Sequence, residues 1–163
     1  MRVERARADD AAAVHALYEE AAEWLGARGI PQWLPGAWTP AAVARGIAGG
    51  EVFVVRAGTK LPAMLTLVDE DPEIWGAGDG SALYLHKLTV ARASAGSGLG
   101  RRLLDWAAGE ARALGRLHLR LDCAAFNTFL RRYYAAAGFA ERGEVDLGRV
   151  RLARFERSVT PSR

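Results

Sequence analysis

Cysteine is almost missing from this sequence. Cys123 is the only one among 163 residues, which excludes an internal disulfide and any metal site built from several cysteines. A lone thiol of this kind reads as a small buried hydrophobe. Lysine is nearly as scarce. With only Lys60 and Lys87 present, arginine carries most of the positive charge behind the net charge of +3, and its planar fork suits phosphate and carboxylate partners. The arginines are scattered and interleaved with acids, so the sequence lacks the concentrated basic stripe of a nucleic-acid surface. It also lacks long apolar runs. Nothing approaches the ~20 residues of a membrane span, and the opening MRVERARADD contains no apolar segment of a secretion signal. These absences point to a cytoplasmic protein with no nucleic-acid and no membrane partner.

Half of the residues are hydrophobic and 25% are charged, enough for one globular domain over residues 1–163 with a core of its own. A short strand is expected at 3–6. Asp9 or Asp10 then caps a helix carrying Val14, Leu17, Tyr18, Ala21 and Leu25 at three- and four-residue spacing, stopped by Gly26 and Gly29. A connection with Trp33 and Trp38 leads to Thr39-Pro40, an N-cap and first helical turn, and to a short helix ending at Gly49-Gly50. Two apolar runs around Gly58-Thr59-Lys60 predict a hairpin. The acidic segment 69–80, with Trp75 inside it, reads as loop. Residues 82–90 predict a strand on which Tyr84, His86, Leu88 and Val90 share a face by alternation. A helix over 99–113 follows, with Leu103, Ala107, Ala111 and Leu114 in helical period and Gly115 as its stop. Then come a strand over 117–123, a helix over 126–137 ended by Gly138, and a terminal pair of strands from Phe139.

Gly96, Gly98 and Gly100 stand on alternate positions where the strand over 82–90 gives way to a helix. Bare backbone at a helix N-terminus brings main-chain N–H groups and the positive dipole end to the same place, an arrangement suited to phosphate. A nucleotide-binding P-loop is excluded, because the residue five after Gly96 is Arg101, with neither lysine nor hydroxyl at the required places. A dinucleotide-binding module is disfavoured by Arg101 at the third glycine position. Asp122 does stand roughly 20 residues on, where a ribose-binding acid belongs, but too little chain remains for the rest of a doubly wound sheet.

The order of strand, loop, G-x-G-x-G, helix and strand, followed by Asn127, Tyr134 and Gly138-Phe139, resembles the GNAT superfamily of acyl-CoA-dependent N-acyltransferases over residues 83–139. The family loop reads [R/Q]-x-x-G-x-[G/A]. Gly98 and Gly100 supply its glycines, while Ala95 stands where the family has Arg or Gln; Arg92, Arg101 and Arg102 are candidates for the missing charge, unless they are only solvated surface arginines. The resemblance implies an α/β fold, a single domain whose mixed, mostly antiparallel central sheet is flanked by helices on both faces. It implies acetyl-CoA as cosubstrate, no metal, and transfer of acetyl to the primary amine of a small molecule by direct attack, with a homodimer by family habit.

The same resemblance distributes the roles. Gly96, Ser97, Gly98, Gly100 and Arg101 would hold the pyrophosphate, Leu88 and Val90 the pantetheine arm, and Asn127 the cofactor as well, although an Asn between strand and helix is also an ordinary N-cap. Tyr134 takes the place of the general acid, with Tyr133 as packing. His86 is the candidate base or water-orienting residue on its intrinsic pKa, with Asp122, Glu70, Asp71 and Glu73 as alternatives. Trp33, Trp38 and Trp75 wall an acceptor site or roof the core, and Trp24, Trp106, His15 and His118 read as structural. A non-catalytic acyl-CoA-binding or sensing domain is the rival left open by Ala95 and by the unsettled base.

Overall fold

The computed structural model describes residues 1–160, and among them seven strands and five helices follow in the order β1 (Val3–Arg5), α1 (Ala11–Gly26), α2 (Pro40–Ala48), β2 (Val52–Ala57), β3 (Lys60–Val68), α3 (Pro72–Trp75), β4 (Ala82–Val90), α4 (Leu99–Ala113), β5 (His118–Ala124), α5 (Thr128–Ala136), β6 (Ala140–Asp146) and β7 (Arg151–Ser158). The hydrogen-bonded strand order is β1-β2-β3-β4-β5-β7-β6. Pairings β1–β2, β2–β3, β5–β7 and β6–β7 are antiparallel, and β4–β5 is parallel. A parallel pair needs a crossover, which α4 supplies. The result is the expected α/β class with a mostly antiparallel open sheet, and it removes the dinucleotide alternative, whose sheet is mostly parallel. Among the described residues no helix is long and apolar enough to cross a membrane.

Two compact units divide the chain, the first being Met1–Leu67 with Lys87–Gly100. Its core gathers Val14, Leu17, Tyr18 and Ala22 of α1, Val43 and Ile47 of α2, and Val52, Val54 and Met64 of the hairpin. Helix α2 starts as predicted, with Thr39 Oγ1 accepting from the Ala42 N–H at 3.2 Å and Pro40 in the first turn. The hairpin turns at Gly58, whose φ of +61° is open to glycine at little cost. Asp10 departs from expectation. It occupies the N-cap position of α1 without capping forward; its carboxylate instead accepts from the Arg7 N–H at 2.8 Å and pairs with Arg56 at 2.8 Å.

The second unit is Val68–His86 with the chain from Arg101 onward. Strand β5 pairs with β7 from His118↔Ser158 to Ala124↔Leu152, whereas its parallel pairing with β4 runs from Ala82↔His118 to Tyr84↔Arg120. Helix α4 buries Leu103, Leu104, Ala107 and Ala111 as its periodicity predicts, but Leu114 lies past the helix end and is exposed. Helix α5 begins at Thr128, two residues later than the sequence pattern places it, because Asn127 caps it there and Phe126 stays outside and exposed. The segment predicted as loop contains the single turn α3, opened by Asp71-Pro72.

Strand β4 breaks its own alternation. Ala82, Leu83, Tyr84 and Leu85 are all buried, and after Lys87 it is Thr89 rather than Leu88 or Val90 that is buried. Lys87 has φ +52°, the only non-glycine residue with positive φ among the described residues. Such a kink shifts the parity of every side chain beyond it. The expectation that Tyr84, His86, Leu88 and Val90 share one face is therefore corrected.

Candidate active site

The glycine loop is local in origin. After β4 the chain makes a 3₁₀ turn over Arg92–Ser94 and reaches α4 at Leu99. Between them Gly96 and Gly98 take φ +75° and +76°, and a Cβ built on either would meet nothing within 4 Å. The protein's own packing thus does not demand glycine there. The backbone angle does, and the space over both Cα atoms stays open. The first N–H groups of α4 have no intrahelical acceptor, so the loop and helix start present donors and positive dipole to an anion. This fits a pyrophosphate.

The arginines nearby are engaged otherwise. Arg101 donates from Nη1 to the Ala136 carbonyl at 2.8 Å and lies 3.7 Å from Asp105. Arg92 stacks its guanidinium 3.9 Å from the Trp24 ring centroid, and its N–H donates to Glu20 at 3.0 Å. Arg102 is exposed. Along β4, the Thr89 hydroxyl donates to the Lys87 carbonyl at 3.0 Å and steadies the kink next to Leu88. Left-handed backbone at a lysine costs roughly 1–2 kcal/mol, and strain of this kind collects at functional positions.

Asn127 is the N-cap of α5, its Oδ1 accepting from the Leu130 N–H at 3.0 Å. Seven residues on, Tyr134 is buried, with ring centroids of Tyr133, Phe155 and Phe139 at 5.5, 5.7 and 6.1 Å. Burial pushes the Tyr134 phenol well above its ordinary range, helped by Cys123, Tyr133 and the charge of Asp122. The phenol therefore stays protonated. Burial also pushes the Cys123 thiol up to about 12, which makes it the inert hydrophobe that its type and scarcity predict.

His86, at the end of the buried stretch of β4, meets two carboxylates. Its Nε2 is 3.2 Å from Asp71 Oδ2 and its Nδ1 is 3.7 Å from Asp122 Oδ1. One donor atom from each residue lies within 4.8 Å of the others. The three come from three elements: Asp71 from the N-cap position of α3, His86 from β4 and Asp122 from β5. Asp71 makes no capping hydrogen bond. Sequence alone offers Asp71 and Asp122 as substitutes for His86, whereas the structure brings all three together. The Asp-Pro pair at 71–72 was the available signal, because Pro favours the first helical position and would have placed Asp71 at a helix start.

The remaining expectations divide. Trp38 is buried in the core of the first unit, edge-on to Tyr18 at 5.7 Å, and Trp33 stacks on Tyr18 at 5.4 Å. These two follow the roof-of-the-core reading. The guanidiniums of Arg120 and Arg154 lie 4.8 and 5.5 Å from the Trp75 ring centroid, and the Tyr84 ring is at 6.2 Å. Arg120 in turn donates to Glu156 at 2.8 Å and to the Tyr84 hydroxyl at 3.1 Å. No sequence motif marks Arg120 or Arg154. Within the acidic stretch Asp69 pairs with Arg116 at 2.8 Å and Glu73 with Arg149 at 3.0 Å.

Comparison with known proteins agrees with this geometry. The chain matches the model of the Acetyltransferase (GNAT) family over residues 19–139. It is 33% identical over 159 residues to the uncharacterized N-acetyltransferase YesJ of Bacillus subtilis (strain 168), covering 93% of this chain and 87% of that protein. Its fold is similar to that of a GNAT-family acetyltransferase from Listeria monocytogenes, with a TM-score of 0.79, 23% identity, and coverage of 96% of this chain and 94% of the other. It is also similar to yncA of Salmonella typhimurium, solved with its cofactor acetyl-CoA, with a TM-score of 0.69, 21% identity, and coverage of 100% and 96%. With the family model spanning β4, the glycine loop, α4, β5 and α5 in one match, the chain belongs to the GNAT family of acetyltransferases and is an N-acetyltransferase.

Proposed function

We propose that the chain, acting as one domain over residues 1–163, moves acetyl from acetyl-CoA to the primary amine of a small molecule by direct attack. Acetyl-CoA supplies the activated acetyl group as a thioester. In this reading the N–H groups of Gly96, Ser97, Gly98 and Gly100 and of the first turn through Arg101 bind its pyrophosphate. Leu88 and Val90, next to the Lys87 kink, offer backbone groups to the pantetheine arm, and Asn127 contacts the cofactor beside its capping role. Tyr134 holds a proton on its hydroxyl and donates it toward the departing sulfur; His86 takes a proton from the acceptor or orients the water that does.

The observation that supports this reading most is the position of Asp122, 3.7 Å from His86 and close enough for its charge to act on the Tyr134 phenol. Asp122 thus faces the candidate proton acceptor and adds its charge to the environment that keeps the candidate donor protonated. An acetyl-CoA-dependent thiol-release assay against a panel of primary amines tests it, with calorimetry of acetyl-CoA on wild type and Gly98→Val. Saturable thiol release with at least one amine, and loss of acetyl-CoA binding in a folded Gly98→Val, are the expected results. Tight acetyl-CoA binding without turnover of any amine would instead favour a sensing domain.

A further inference from the structure

We infer that Asp71, His86 and Asp122 form one proton-accepting unit, in which both aspartates are positioning residues that act through the imidazole. The inference rests on the acetyltransferase reading above and adds two residues to it.

The first observation is where Asp71 is spent. A side chain at an N-cap position ordinarily accepts from an N–H of the first helical turn. Asp71 makes no such bond. Its Oδ2 is buried, accepts no hydrogen bond among the described residues, and lies 3.2 Å from His86 Nε2. A local rule set aside in favour of a distant contact marks a functional position.

The second observation is a proton count. A neutral imidazole has one N–H and one lone pair, and an imidazolium has two N–H groups. With a carboxylate facing each ring nitrogen, the neutral ring serves one carboxylate and turns a lone pair toward the other. The protonated ring serves both. Taking up a proton therefore completes the set, and the ring, 24% exposed at its side chain, is within reach of solvent.

In the step assigned to this unit an N–H bond of the acceptor ammonium breaks and leaves its electron pair on the amine nitrogen. The proton, directly or through one water, bonds to the ring lone pair of His86. The neutral amine can then attack, and the imidazolium later returns the proton to solvent.

The charged and titratable groups around the ring come from four elements. Asp71 faces it from α3 and Asp122 from β5. Arg154 of β7 stands opposite Asp122 in the strand register, and Tyr134 of α5 lies in the field of Asp122. Arg120 and Tyr84 lie two residues back along β5 and β4.

Two measurements test the unit. NMR titration of the three histidine rings in the intact protein, with His15 and His118 as internal references, reads the His86 midpoint without any turnover. Asp71→Asn and Asp122→Asn should each move that midpoint to lower pH, since each removes an anion that favours the imidazolium, and leave the other rings unmoved. In the amine assay, Asp71→Asn should lower kcat/KM about 10-fold or more and shift the acid limb of the pH profile to lower pH, with acetyl-CoA affinity unchanged and partial rescue by Asp71→Glu. An unmoved His86 midpoint in a folded Asp71→Asn overturns the inference whatever the activity. A wild type that turns over no amine, while its His86 midpoint moves as expected in the variants, retires the acetyltransferase mechanism and keeps the unit.

Discussion

Two aspartates, one in each compact unit, stand at the N-cap position of a helix and cap nothing forward. In the first unit Asp10 gives its carboxylate to the Arg7 N–H and to Arg56, which also holds Glu4 at 2.5 Å. In the second, Asp71 turns its carboxylate toward an imidazole, and its Oδ2 accepts no hydrogen bond among the described residues. A buried polar atom left unpaired costs roughly 1–3 kcal/mol, a cost that Asp10 avoids and Asp71 carries. Incomplete satisfaction is tolerated where the missing partner is a proton or a substrate. The same residue type at the same kind of position thus stabilises one unit and equips the other.

Tyr134→Phe should break the second side of this comparison most severely. It keeps the ring among Tyr133, Phe139 and Phe155 and deletes the proton, so turnover should fall by about 10²-fold or more with acetyl-CoA affinity nearly intact. Because the phenol is pushed above its ordinary range, Tyr134 should not itself ionise below about pH 10. A wild-type alkaline limb below that pH should then be absent from the Tyr134 titration and arise elsewhere. Wild-type turnover in Tyr134→Phe, measured where chemistry limits the rate, rejects the role.

On the structural side, Trp38→Ala removes a buried ring from the first unit's core and should destabilise the protein by about 3–5 kcal/mol. Trp33→Ala, at a partly buried ring stacked on Tyr18, should cost less. Both should leave the kinetics of the surviving folded enzyme close to wild type, read by chemical denaturation and by the amine assay. A raised acceptor KM in a fully stable Trp33→Ala would return that tryptophan to the acceptor wall.

A smaller effect separates Asp10 from Asp71 by pH. The hydrogen bonds to Arg56 hold Glu4 and Asp10 below their ordinary carboxylate values. A depressed folded value means that the stabilisation is present above the unfolded carboxylate range, near pH 4, and is lost as pH falls through the folded values. Arg56→Met should therefore lower Tm at pH 7 and flatten the fall of Tm below pH 5. Asp10→Asn should do the same to a lesser degree, with kcat/KM unchanged. Asp71→Asn should show the reverse pattern, with kcat/KM lowered and Tm nearly kept.

Much of the fold was legible in advance because its signals are local. Thr39-Pro40 opens α2, Gly58 turns the hairpin, and the apolar stripe Leu103, Ala107, Ala111 faces inward from α4, each from spacing or cap chemistry within one segment. The misses have local causes too. Leu114 continues the helical period but lies past the point where Gly115 ends the helix, and α3 went unseen because one turn is too short to show a period. The Lys87 kink left no mark at all, since lysine at positive φ is a state imposed on the chain.

The candidate site was legible only in its chain-continuous parts. Gly96 and Gly98 stand just before the start of α4, and Asn127 stands seven residues before Tyr134; helix geometry converts those short distances into positions. Sequence by itself therefore determined the α/β class, the anion-ready loop and the capped helix that carries Tyr134. Only the tertiary structure decided which acid stands beside His86, that Arg101 is tied to the end of α5, and that Trp38 serves the core. Those are meetings of residues far apart along the chain, and the packing that joins them is fixed by shape and burial across elements, which no local pattern of residues encodes.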